Sequence, residues 1–102
     1  MVLEQYNFKR EVLDDPGPVL VDFWAEWCPP CRMMNPVVES LAHRFKVCKV
    51  NIDTNQPLAV KFGVEAVPTF LVFRGGQVVR RYQGVTPETT LRAEMEALTV
   101  GG

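Results

Sequence analysis

The sequence predicts an α/β fold, a mixed central sheet flanked by helices on both faces, and three observations carry that prediction. An apolar run "VLVDFWA" at 19–25, a helical stripe and a second apolar run "VCKVNID" at 47–53 follow one another with short links. That is the order of a parallel βαβ unit, expected to be right-handed. Two later apolar runs flank Gly75-Gly76, the kind of two-residue turn that closes an antiparallel hairpin. With 102 residues, 47% apolar and 23% charged, the chain is expected to form one domain over 1–102. It is large enough to bury a core without disulfide staples.

Taken in order, Asn7 to Asp14 reads as a short helix capped by Asn7 and stopped by "DPGP". Val19 to Ala25 is apolar throughout except for Asp22, the pattern of a strand buried on both faces. From about Pro30 to Phe45, Met33, Met34, Val37, Val38, Leu41 and Phe45 recur at three- and four-residue steps, a helix with one buried stripe. Pro36 lies inside it and should kink it. Val47 to Asp53 is the second strand. A short helix follows, with Pro57 near its start and Gly63 just past its end. "VPTFLVF" and "QVVRRYQ" form the hairpin, and a last helix runs from Pro87 to about Leu98 with Thr86 as cap, ahead of a Gly101-Gly102 tail.

Eleven Lys and Arg against twelve Asp and Glu leave a net charge of −1, so no electrostatic footprint for nucleic acid or anionic lipid stands out. Arg80-Arg81 reads as a charge pair that protects an edge strand from sheet-to-sheet pairing. No apolar stretch is long enough for a membrane span. The opening "MVLEQYNFKRE" lacks a basic segment followed by an apolar one, so no secretory signal is visible. Three cysteines, an odd number, suit a reducing compartment. The expectation is a cytoplasmic monomer with neither membrane nor nucleic acid as partner.

The stretch "AEWCPPCRMM" at 25–34 holds Cys28 and Cys31 two residues apart. A zinc site would need His43 and Cys48 as further ligands. On one helix, Cys31 and His43 would lie roughly 18 Å apart, whereas ligands of one zinc lie within about 4 Å of each other. The same distance excludes a Cys-His nucleophilic pair, since His43 is the sole histidine. Thiol-disulfide exchange fits better. Residues three apart at a helix start are about 5–6 Å apart, within the Cα range of a disulfide, so this pair can open and close with little backbone motion. Cys28 follows a central strand and precedes a helix, where free amides and the positive dipole end favour a thiolate. Cys31, one turn further in, should be the less exposed, resolving thiol. Asp22 is the only ionisable group in its strand, and a carboxylate buried there is a site candidate. Lys49 in the neighbouring strand is a plausible charge partner.

With "VDFWAEWCPPC" at 21–31, "KVNID" at 49–53, "AVPTF" at 66–70, and Pro36 and Gly84 in their places, the chain resembles the thioredoxin family over nearly its whole length. The resemblance implies the thioredoxin fold and a protein-disulfide reductase that needs no metal or organic cofactor. It implies Cys28 as attacking thiol, Cys31 as resolving thiol and Asp22 as the base that deprotonates Cys31. It also implies a cis peptide bond before Pro68, which leaves the Val67 backbone to pair with an extended substrate segment. Trp27, Pro29, Pro30, Val67 and Val85 would form an apolar rim around the Cys28 sulfur, and Trp24 would belong to the core or stand behind the site. Disulfide-containing client proteins and a flavin-dependent thioredoxin reductase, or a similar electron donor, are the implied partners.

The chain departs from the family's usual pattern in three places. Pro29 stands where Gly is usual, the residues before Tyr6 leave only a stub of first strand, and Gln83 stands where an apolar residue is frequent beside the substrate groove. Two other activities fit the same fold. One is an oxidase or isomerase that donates disulfides; the other is a module that binds clients or a polymerase-like partner, with incidental redox turnover.

Overall fold

In chain order the elements are β1 (Val2–Leu3), α1 (Gln5–Phe8, continued by a wider π-type stretch over Lys9–Leu13), β2 (Pro18–Trp24), α2 (Pro29–Ala42), β3 (Lys46–Asn51), α3 (Gln56–Lys61), β4 (Thr69–Arg74), β5 (Gln77–Gln83) and α4 (Glu88–Val100). The computed structural model describes residues 1–100, and the Gly101-Gly102 tail lies outside the described residues. The sheet order is β1-β3-β2-β4-β5. β2 runs parallel to β3 and antiparallel to β4, which makes the sheet mixed.

Alternation along β2 explains both layers. Val19, Val21 and Phe23 point to one face and pack with Cys48, Val50, Leu71 and Phe73 under α1 and α3, where Phe8, Val12 and Leu58 complete the cluster. Leu20 points to the other face and packs with Val47, Phe70 and Val72 under Met34, Val38 and Leu41 of α2 and Leu91 and Met95 of α4. Asp22 and Trp24 share that second face by the two-residue period. Each large side chain so buried contributes on the order of 1.5–3 kcal/mol.

The bounds differ from expectation for local reasons. The first helix starts at Gln5, so Asn7 is its third residue and not its cap. The Asn7 side chain reaches back and accepts the Glu4 N–H at 2.8 Å, one half of a capping box. The helix predicted to reach Phe45 ends at Ala42, because the N–H groups of His43 and Arg44 turn to carbonyls three residues back. This tighter turn releases Phe45 to pack beneath α4. α2 continues through Pro36, which lacks the N–H that would meet the Arg32 carbonyl. β3 stops at Asn51, where its side-chain oxygen accepts the Asp53 N–H at 2.8 Å and turns the chain outward. Val67 and Pro68 stand just outside β4, since proline brings no N–H to a ladder.

Thr86 does not cap the last helix. Its hydroxyl donates to the Gly84 carbonyl at 3.0 Å, and the Pro87 carbonyl takes the first helical bond, from Leu91. The hairpin turn is as expected: Gly75 and Gly76 have φ of +58° and +80°, as a primed turn requires. Any Cβ on Gly76 would lie 2.9 Å from the Leu13 carbonyl oxygen. β5 is an edge strand. Arg80 there pairs with Glu94 at 2.9 Å, while Arg81 donates to the carbonyls of Phe62 and Gly63 at the end of α3.

Candidate active site

β2 ends at Trp24, and within a few residues the chain enters α2, so Cys28 falls at the carboxyl end of the central strand and at the N-cap of the helix. Pro29 and Pro30 occupy the first helical turn, where backbone N–H groups have no intrahelical partner and proline costs little. The first amide available is that of Cys31, and it donates to the Cys28 sulfur at 3.2 Å. The Cys28 thiol in turn donates to the Val67 carbonyl at 3.6 Å. Both thiols are free, which makes this the dithiol form.

Exposure does not separate the two cysteines as the sequence suggested, for each is only 3% exposed. Cys28 is covered because it packs with Ala25 and Cys31 against Val67, Ile52 and Trp24. Burial, the hydrogen bond with Cys28 and the repulsion of Cys28 and Asp22 push the Cys31 thiol up to about 12. A thiol so protonated needs a base before it can attack.

Asp22 stands directly opposite Lys49 in the register of the β2–β3 pair. It is 1% exposed, and its Oδ1 has no hydrogen-bond partner among the described residues. Burial raises its carboxyl to about 7, and the nearby Lys49 ammonium opposes that rise. Lys49 sits 4.8 Å from the centre of the Trp24 ring. Asp22, Trp24, Lys49 and Cys31 thus meet on the α2 face of the sheet, beside a cleft of about 280 Å³ lined by Trp24, Ala25, Glu26, Cys31, Arg32 and Asn35.

Of the residues expected to form the rim, Val67 packs against Cys28. Trp27 and Val85 are exposed, at 64% and 56%. Pro29 is exposed, and Pro30 and Val67 are half-buried. The Val67–Pro68 peptide bond is cis. The Pro68 carbonyl accepts the Gly84 N–H at 2.8 Å, which ties the β4 entry to the loop after β5.

Two residues were missed. Asp53 accepts the Trp27 indole N–H at 2.9 Å and fixes the exposed ring; an acid closing "VNID" was the available signal. Asn35 bonds to Lys49, and its place one turn after Cys31 was the signal. His43 stands exposed at the C-cap of α2, the opposite end of the helix from Cys28. Cys48 is fully buried on the α1 side. No helix among the described residues is long and apolar enough to cross a membrane.

A mixed sheet that presents two thiols at a helix N-terminus, beside a buried carboxyl and a cis-proline loop, defines a dithiol-disulfide exchanger. The family model described as thioredoxin matches residues 1–97. The chain is 50% identical over 94 residues to thioredoxin 1 of a Nostoc species, covering 88% of each chain. It is 43% identical over 95 residues to thioredoxin of Pseudomonas aeruginosa, covering 89% of this chain and 88% of that one. A solved structure of a thioredoxin point variant from Halobacterium salinarum superposes with a TM-score of 0.90 at 37% identity, covering 97% of this chain and 89% of that one. The chain belongs to the thioredoxin family. It is a protein-disulfide reductase with Cys28 and Cys31 as its exchanging pair, acting on disulfide-containing proteins and recharged by a reductase.

Proposed function

We propose that the pair works in a fixed order, supported above all by the single amide that Cys31 offers to the Cys28 sulfur. Cys28 thiolate attacks one sulfur of a client disulfide; that S–S bond breaks, a mixed disulfide forms, and the client's other sulfur leaves as thiolate. Asp22 takes the Cys31 proton, directly or through water in the adjoining cleft, and Cys31 attacks Cys28. The mixed disulfide breaks, the client leaves as a dithiol, and the two electrons it gained remain accounted for by the Cys28–Cys31 bond. Lys49 steadies the Asp22 carboxylate. A flavin-dependent thioredoxin reductase, or a donor of that kind, returns the electron pair.

Trp27, Pro29, Pro30, Val67 and Val85 form the apolar docking rim, with Pro68 and Gly84 holding the loop in which Val67 offers its backbone to an extended client segment. The exposure of Trp27 beside a reactive thiol supports this reading. The chain acts as a single domain over 1–102, a monomer carrying electrons in the cytoplasm, where a reducing poise keeps three free cysteines reduced.

Insulin reduction combined with an equilibrium titration against glutathione tests the direction of transfer. A strongly reducing, active protein is expected. An oxidising potential would favour disulfide donation, and binding without turnover would favour a docking module.

Pro29 bears on the same potential. With prolines at the first two helical positions, the Cys28 thiolate loses a donor that glycine would supply. Two fixed φ angles also lower the entropy lost when the disulfide closes. Both effects favour the disulfide, so Pro29→Gly is expected to raise the potential by a shift on the order of 10–30 mV. A clearly lower potential in the variant would mean that the oxidised loop is strained by Pro29.

A further inference from the structure

Asn35 stands one helical turn beyond Cys31 on α2, on the same face. With Cys31 and Trp24 it lines the cleft beside the resolving sulfur. Its Oδ1 accepts a hydrogen bond from the Lys49 ammonium at 3.4 Å. The same ammonium lies 4.8 Å from the centre of the Trp24 ring. Lys49 is therefore fixed at its backbone by β3 and at its tip by two partners, an amide oxygen from the helix and an aromatic face from the central strand. A half-buried lysine without such partners extends its stem toward water.

We propose that Asn35 is a positioning residue: by tethering the Lys49 ammonium against Trp24, it keeps that cation facing Asp22 and so controls when Asp22 can take the Cys31 proton. Its effect on Asp22 is electrostatic, whereas its effect on turnover rests on the reading of Asp22 as base. The titratable groups acting on this face are few. β3 contributes Lys49, α2 contributes Cys31 and Arg32 with Cys28 at its cap, and Glu26 before the helix lines the same cleft as Arg32. β4 contributes Phe70 and Val72, and α4 contributes Leu91 and Met95, none of them charged. Lys49 is thus the cation that opposes the effect of burial on Asp22, and it acts through space, since no partner meets Asp22 Oδ1 among the described residues. An opposite charge stabilises a carboxylate, so moving Lys49 toward water raises the pH at which Asp22 ionises.

The test follows the Asp22 carboxyl carbon by NMR through a pH titration, alongside the rate at which a preformed mixed disulfide breaks down. In Asn35→Ala the titration midpoint is expected to move up from about 7 by roughly half a unit. Breakdown at neutral pH should slow about twofold, with its bend displaced by the same amount, while Cys28 attack is unaffected. In a Lys49→Met background, Asn35→Ala should have no further effect on the midpoint, because the tether has nothing left to hold. An unmoved midpoint in Asn35→Ala, or an equal shift in the Lys49→Met background, overturns the inference. A midpoint that moves as expected while breakdown does not follow supports the tether and overturns Asp22 as the base.

Discussion

Replacing Cys31 with serine should turn the protein into a trap for its clients. Cys28 keeps its place at the N-cap of α2 and still attacks, but no second thiol stands behind it to release the product. A thiol held within reach acts with an effective molarity that can approach 10⁵ M, so dissolved thiols at millimolar concentration replace it poorly. The mixed disulfide should therefore persist about 1000-fold longer or more. Denaturing, non-reducing electrophoresis of Cys31→Ser with client proteins reads this as stable covalent adducts. Cys28→Ser should form almost none, because burial, the largest cause, and the nearby Asp22 still hold the remaining Cys31 thiol above the ordinary thiol range and protonated at neutral pH. Equal trapping by both variants would make Cys31 an attacking thiol and reverse the assigned order.

Asp22→Asn should have the largest effect on stability. The folded protein holds the Asp22 proton up to about 7, whereas an unfolded aspartate gives it up near 4. Between those values the native state binds more protons than the unfolded state, so stability falls as pH rises through that window and levels off above it. The cost at pH 8 is on the order of 4 kcal/mol, at about 1.4 kcal/mol per unit. Asparagine removes the titration while keeping the shape. Denaturant unfolding at pH 4.5 and pH 8 should then show similar stabilities at the lower pH and a more stable variant at the higher one. The resolving step should slow about tenfold or more. Parallel stability curves for the two proteins across the window would contradict the burial account.

How far the sequence was legible depends on the kind of signal. β2 and β3 were visible because continuous apolarity and short links admit few arrangements, and Asp22 stood out as the one charge in such a run. The Gly75-Gly76 hairpin was visible because a primed turn demands those φ angles. Cap positions were less legible. Asn7 and Thr86 both have cap chemistry, yet each side chain bonds backward, Asn7 to the Glu4 amide and Thr86 to the Gly84 carbonyl. Local sequence cannot choose between those bonds and a forward cap. The covering of Cys28 was also hidden, since Val67 approaches it from 39 residues away. The Trp27–Asp53 and Asn35–Lys49 bonds depend on pairing between distant segments in the same way.

The most direct test of the central claim is the lifetime of the mixed disulfide in the unmodified protein, followed by rapid acid quenching and mass spectrometry from pH 5 to 9. Buried Asp22 as base for a thiol that burial keeps protonated predicts a breakdown rate that climbs with a bend near 7, the pH at which this carboxyl becomes able to accept a proton. Asp22→Asn should lose that bend. A bend near 7 that survives in Asp22→Asn, or a breakdown rate independent of pH across the range, would contradict the assignment.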